Sequence, residues 1–139
     1  MPILNVKISG EPNPDTTNHV SALLVELTAR ILRKQPDITA VVIDYVPEGQ
    51  WFVGGGRLDQ QRQRSFYFDI KVVEGTNTKD EMARYIEAAF AGLKDILGQV
   101  HPESYIHVQE VRAFAYGYSG RTQENRYIAS KLQTEPTTR

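Results

Sequence analysis

Two stretches of this chain repeat one another at a single ungapped offset of 66 residues. Val20 falls on Ile86, Leu24 on Phe90, Leu27 on Leu93, Ile31 on Leu97, Pro36 on Pro102, Val42 on Val108, Asp44 on Glu110, Phe52 on Tyr118 and Gly54 on Gly120. Two amphipathic helices share some apolar positions by chance, but here prolines, acids and glycines agree as well. A chain built twice folds as two copies of one unit packed together, so the order of elements inside that unit decides the fold class.

Hydrophobic periodicity supplies that order. Ile3, Val6 and Ile8 mark a short strand that ends in the turn-rich stretch 9–14. Val20, Leu23, Leu24, Leu27 and Ile31 recur at helical spacing, with Pro14 or Asp15 suited to the first turn. After Pro36 the run 38–46 is apolar and β-branched enough for a buried strand, and Gly54-Gly55-Gly56 then breaks the chain. In the second half Phe66, Phe68, Ile70 and Val72 alternate as a strand, and Thr78 with Glu81 forms a capping box. A helix carrying Met82, Ile86, Phe90, Leu93 and Leu97 follows, then a strand over 105–114 leading to Gly117 and Gly120. The pattern predicts an α+β fold: two tandem β-α-β units, about 2–56 and 66–121, forming a four-stranded mixed sheet with two helices on one face. One domain over 1–130 and a polar tail over 131–139 complete it, with no third helix long enough to cover the other sheet face. That face carries Leu4 or Ile3, Val41 or Val42, and Phe66 or Tyr67, which predicts a symmetric homo-oligomer.

Composition narrows the function. Sixteen basic against 17 acidic residues give a net charge of −1, which argues against a nucleic-acid-binding face. The absence of cysteine removes disulfides, a thiolate nucleophile and Cys-ligated zinc, and fits a cytoplasmic location. No membrane span or signal-peptide pattern is read, so neither a membrane nor nucleic acid is expected as a partner. His19, His101 and His107 lack metal-ligand spacing, and no nucleophile elbow surrounds any serine. Gly54-Gly55-Gly56 does not open a helix as a phosphate loop would. The residue that stands out is Pro2. A small residue after Met1 permits removal of the methionine, leaving Pro2 with a secondary amine at the first residue of a strand. In an apolar or cationic pocket the ammonium form is disfavoured, and the neutral amine becomes a general base.

The segment Pro2-Ile3-Leu4-Asn5-Val6-Lys7-Ile8, the helix behind it, the strand over 40–45 and Glu48-Gly49-Gln50-Trp51-Phe52-Val53-Gly54-Gly55 together resemble the tautomerase superfamily. Its members begin with a catalytic amino-terminal proline. The first 56 residues are similar to 4-oxalocrotonate tautomerase. The doubled chain is similar to the long-chain trimeric members: macrophage migration inhibitory factor, malonate semialdehyde decarboxylase and cis-3-chloroacrylic acid dehalogenase. The resemblance implies a cofactor-independent tautomerase or isomerase that moves a proton in a small enol or α-keto carboxylic acid. Pro2 would be the base, in a homotrimer with pockets between neighbouring subunits. It also implies an alternative, a hydratase, dehalogenase or decarboxylase with Pro2 as acid. A non-catalytic binding or scaffold oligomer is a third reading. By the same resemblance Trp51 would wall the pocket, Lys34 would hold the substrate carboxylate, and Tyr105 and His107 would be polar donors. Arg112 and Arg121 flank the last strand and suit bidentate carboxylate binding. Pro12 and Ala40 stand where 4-oxalocrotonate tautomerase places its substrate-binding arginines, so monocarboxylates are expected to be handled at least as well as its dicarboxylate. Neither metal nor cofactor is expected.

Overall fold

The computed structural model describes residues 2–134. β1 (Ile3–Ser9) leads through α1 (Pro14–Arg30) to β2 (Ala40–Val46), followed by the hairpin β3 (Phe52–Val53) and β4 (Gly56–Arg57) and a short α2 (Leu58–Gln61). The series then repeats as β5 (Phe66–Val73), α3 (Lys79–Leu97), β6 (Tyr105–Val111), the hairpin β7 (Gly117–Tyr118) and β8 (Arg121–Thr122), and α4 (Gln123–Thr134). The four long strands form one mixed sheet in the order β2-β1-β5-β6. β1 is parallel to β2 and β5 to β6, whereas β1 and β5 pair antiparallel.

Strict alternation decides which face is buried. Leu4, Val6 and Ile8 of β1 and Phe66, Phe68, Ile70 and Val72 of β5 join Val20, Leu24 and Leu27 of α1 and Tyr85, Ala89, Leu93 and Leu97 of α3 in one core. Both helices therefore lie on a single sheet face. Ile3, Val42, Tyr67 and Tyr105 project from the other face and stay exposed. Between them sit two ion pairs, Lys7 with Asp44 at 3.7 Å and Lys71 with Asp69 at 3.3 Å.

The helix starts follow from capping. Asn13 accepts from the backbone N–H groups of Asp15 and Thr16, with Pro14 as the first helical residue of α1. Thr78 and Glu81 form the expected reciprocal box at α3. At the centre of the core the hydroxyls of Thr28 and Tyr85 meet at 2.8 Å, so the one phenol buried between the helices is satisfied. Burial pushes its pKa up to about 12.

Three expectations are corrected. The repeat runs at 65 rather than 66: α1 and α3 start at 14 and 79, β2 and β6 at 40 and 105, and the hairpins at 52 and 117. At that spacing Val20 matches Tyr85 and Leu24 matches Ala89, all fully buried, whereas Ile86 is 39% exposed. An apolar helix stripe about 100° wide tolerates a one-residue slip, so apolar identity alone did not fix the offset. The strands are shorter than expected, because Pro36–Ile38 and Ala113–Ala115 form 3-10 turns at their ends. Residues 131–134 belong to α4 rather than to a tail; 135–139 lie outside the described residues.

Glu81 also makes stability pH-dependent. Its carboxylate accepts from Arg33, from the Thr78 N–H and from Asn77. The Arg33 hydrogen bond foremost, then those from Thr78 and Asn77, bring its pKa from 4.5 down to about 2. A folded-state pKa below the unfolded one gives stability that is fully present above the unfolded value and is lost as pH falls through the folded one. Glu81→Gln is expected to lower the urea midpoint at pH 7 and to flatten its decline between pH 4.5 and 2, as measured by circular dichroism.

Candidate active site at the start of the first strand

Pro2 is buried immediately before β1, and its carbonyl accepts from the Ala40 N–H at 3.2 Å. Beside it lies a cavity of about 360 Å³ walled by Asp37, Ile38, Thr39 and Ala40 on one side and by Tyr116, Gly117 and Tyr118 on the other. The first group comes from the 3-10 turn that leads into β2, and the second from the hairpin β7–β8. Tyr116 is hydrogen-bonded to the Ile3 backbone; burial raises its pKa more than that bond lowers it, so it is a neutral phenol at pH 7.

The hairpin owes its shape to glycine. Gly117 crosses the opposite arm so closely that a β-carbon would stand 2.1 Å from the Arg121 carbonyl oxygen. Ser119 and Gly120 turn with φ of +53° and +76°, values that favour glycine over branched residues. α4 then braces the hairpin from behind. The Arg126 guanidinium lies 3.8 Å from the centre of the Tyr118 ring and donates to the Tyr118 carbonyl at 3.0 Å. Its Nε is buried with no partner among the described residues. Arg126 is thus a cation directly behind the cavity wall.

No protein-family model and no curated protein matches the sequence. Solved structures do match the fold. A fused 4-OT, a symmetric trimer, aligns over 89% of this chain and 98% of its own at 13% identity, with a TM-score of 0.76. A macrophage migration inhibitory factor-like protein from Entamoeba histolytica aligns over 87% and 97% at 16% identity, with a TM-score of 0.72. A malonate semialdehyde decarboxylase inhibited by 3-bromopropiolate aligns over 96% and 99% at 10% identity, also with a TM-score of 0.72. This chain has the tautomerase-superfamily fold.

Within one chain the expected site residues lie at different places. Pro2 lines the cavity at the start of β1. Lys34 is in a different one, with Val73, Glu74, Thr76, Ala113 and Tyr127, where its Nζ donates to Thr76 Oγ1 at 2.9 Å. Burial, and then Arg33, lower its pKa. Trp51 and Tyr105 are at the opposite end of the sheet, where they line a third cavity together. β1 separates them from Pro2 by about 20 Å. His107 is exposed on the open sheet face, opposite Asp69. Arg112 and Arg121 are at the Pro2 end, but Arg112 lies over Phe114 at 5.8 Å and Arg121 donates to Asn125 at 2.8 Å. Neither lines the Pro2 cavity. Asp37 and Arg126 were missed, because the antiparallel joining that brings the second hairpin to the first strand's start is seen only in the folded sheet.

Gly117→Ala is the substitution that tests this wall. Opening the hairpin to admit a methyl group is expected to cost about 1–3 kcal/mol in urea denaturation. The same change should increase acrylamide quenching of tyrosine emission in a variant whose Trp51 is replaced by Phe.

Proposed function

We propose that the Pro2 cavity catalyses proton transfer in a small enol or α-keto carboxylic acid, with the amine of Pro2 as general base. The observation that carries this reading is the placement of Pro2 itself. It is buried at the mouth of a β-α-β unit, in a mostly apolar cavity with two phenols facing it. Once Met1 is removed the nitrogen is a secondary amine. An unperturbed chain-terminal amine titrates at about 7.7 to 8.0 and would be mostly protonated at neutral pH; burial disfavours the ammonium and frees the base. The base takes the enol proton or one from the carbon beside the carbonyl and returns it further along the substrate. Tyr118, held by Arg126, is the donor for the developing oxyanion.

Asp37 favours a second reading. A carboxylate in the same cavity stabilises the prolyl ammonium and is a base for water, so Pro2 as acid and Asp37 as water activator would add water across an activated double bond. The two readings make opposite predictions for Asp37→Asn. If Pro2 is the base, removing the negative charge destabilises its ammonium. The rise of kcat/KM with pH should then move down by about one pH unit with activity retained. If Asp37 activates water, the variant loses about 100-fold or more, and the wild type incorporates oxygen from labelled water into product. Under either reading Pro2→Ala loses at least about 100-fold, and protein with Met1 wholly retained by intact mass is inactive. Full activity in either of these preparations would overturn both readings, and an inactive wild type that has lost Met1 would leave the scaffold reading.

We further propose that the functional unit is a homotrimer. The exposed apolar residues of the open sheet face support this, as does the trimeric assembly of the fused 4-OT neighbour. Among the described residues no lysine or arginine lines the Pro2 cavity within one chain, so a substrate carboxylate requires a cation from a neighbouring subunit or a movement of Lys34, Arg112 or Arg121. Light scattering should report three times the 15.7 kDa chain mass. A stable monomer at micromolar concentration overturns the assembly.

A further inference from the structure

A phenol and a chain-terminal nitrogen come together at the start of β1. Tyr116 lines the Pro2 cavity, and its hydroxyl is hydrogen-bonded to the backbone of Ile3, the residue that follows Pro2. That bond lowers the phenol's pKa. A bond with this effect is one that favours the phenolate oxygen, so the oxygen accepts from the Ile3 N–H, and its own proton is directed elsewhere. For an extended Pro2 backbone this puts the phenol oxygen about 4–5 Å from the Pro2 nitrogen, and rotation about the Pro2 Cα–C bond brings the two to about 3 Å. Once Met1 is removed, that rotation moves only the proline ring.

The hairpin holds the phenol in this place. The Tyr116 carbonyl accepts from the Gln123 N–H at 2.8 Å, and its backbone is extended. Other charged and titratable groups reach the same strand start from the elements around it. Asp37 comes from the turn before β2 and Tyr118 from the hairpin, with Arg126 of α4 behind its ring. Lys71 of β5 stands opposite Ile3, and its Nζ is 3.3 Å from Asp69 Oδ1. Of these side chains, Tyr116 is bonded directly to the backbone beside Pro2.

We propose that Tyr116 is a positioning residue for the base: with Met1 removed, its hydroxyl donates to the Pro2 nitrogen and holds the amine in its neutral form. This inference rests on the reading of Pro2 as the base. A hydrogen bond made to the neutral form of an amine disfavours the ammonium. Tyr116 thus acts against Asp37, whose carboxylate favours the ammonium. Because the Ile3 N–H keeps the phenol oxygen in place, an arriving substrate displaces only a rotatable proton from the nitrogen lone pair. Burial raises the pKa of Tyr116, so it stays a donor over the range in which a prolyl amine titrates.

NMR titration of the assembled protein labelled with nitrogen-15 proline reads the amine directly, after intact mass has shown that Met1 is lost. Pro2 is then the one proline whose nitrogen is an amine rather than an amide. Tyr116→Phe removes the donor and keeps the ring. It should raise the Pro2 pKa by about one pH unit and move the rising limb of kcat/KM up by the same amount, with an unchanged circular dichroism spectrum. A loosened strand start that admits water would also raise the pKa, so a second variant decides between the two causes. Replacing Tyr116 by 3-fluorotyrosine, a stronger donor of nearly the same shape, should lower the Pro2 pKa below the wild-type value by about a few tenths of a pH unit. A merely structural phenol would give no such fall. An unmoved Pro2 pKa in Tyr116→Phe overturns the proposal, and so does the same pKa with 3-fluorotyrosine as with tyrosine. The titration needs no turnover, which separates the two readings. The expected shifts in a protein whose activity survives Pro2→Ala would support the bond between phenol and amine and overturn the base reading alone.

Discussion

Six ladder pairs between β1 and β5, from Ile3 opposite Lys71 to Ile8 opposite Phe66, join the two halves of the molecule. Their antiparallel sense decides where each cavity forms and which residues wall it. Had the units been joined in parallel, both first strands would begin at one end of the sheet and both hairpins would lie at the other, away from Pro2. Antiparallel joining relates them by an approximate two-fold axis instead. The chain leaves β2 at the far end from Pro2 and leaves β6 at the near end, because parallel strands within a unit run the same way. The hairpin of each unit therefore covers the start of the other unit's first strand. Tyr116 and Tyr118 stand beside Pro2, and Trp51 and Phe52 beside Tyr105.

The two ends share a scaffold and differ in chemistry for a covalent reason. Only one of two tandem strands can begin a chain, so only one end can offer a free amine. At the other end the equivalent position is filled by Phe66, which the core absorbs. The lining diverges in step. Ala40 and Tyr118 at the first end correspond to Tyr105 and Val53 at the second, and α4 has a twelve-residue length where α2 has four. Arg126, in the first turn of α4, donates to the Tyr118 carbonyl at 3.0 Å, and its counterpart Gln61 at the end of α2 donates to the Val53 carbonyl at 3.1 Å, so the second end has a neutral amide where the first has a guanidinium.

Much of this was legible in the sequence where burial imposes a period. The alternation in Phe66, Phe68, Ile70 and Val72 and the spacing of Val20, Leu24 and Leu27 report real core positions, and the Thr78 and Glu81 box reports a real helix start. α4 was not legible because its packing carries no apolar period. It opens with Gln123, Glu124, Asn125 and Arg126, its hold on the hairpin is a guanidinium stacked on a ring, and Tyr127, Ile128 and Leu132 remain exposed. Trp51 was legible as a cavity wall, and within one chain that cavity is at the sheet end away from Pro2. Its nearness to Pro2 along the first unit says nothing about which sheet end it reaches, because that depends on strand direction. Lys34 was similarly recognisable as a helix-terminal cation, while its contact with Thr76 depends on how the β5–α3 loop lies against α1.

The charge state of Pro2 also depends on three contributions that this architecture brings to one strand start. Burial favours the neutral amine, Asp37 favours the ammonium, and Arg126 behind Tyr118 favours the neutral amine again. Asp37 is exposed and partly screened by water, whereas Arg126 acts through a ring in a partly buried position, where screening is weaker. Under the proposed reading, covering the open sheet face would favour the free base, since association next to Ile3 removes water from the Pro2 side and a substrate carboxylate needs a cation that the described lining of one chain's cavity lacks. Assembly and base strength would then be coupled through the strand whose buried side chains hold the core.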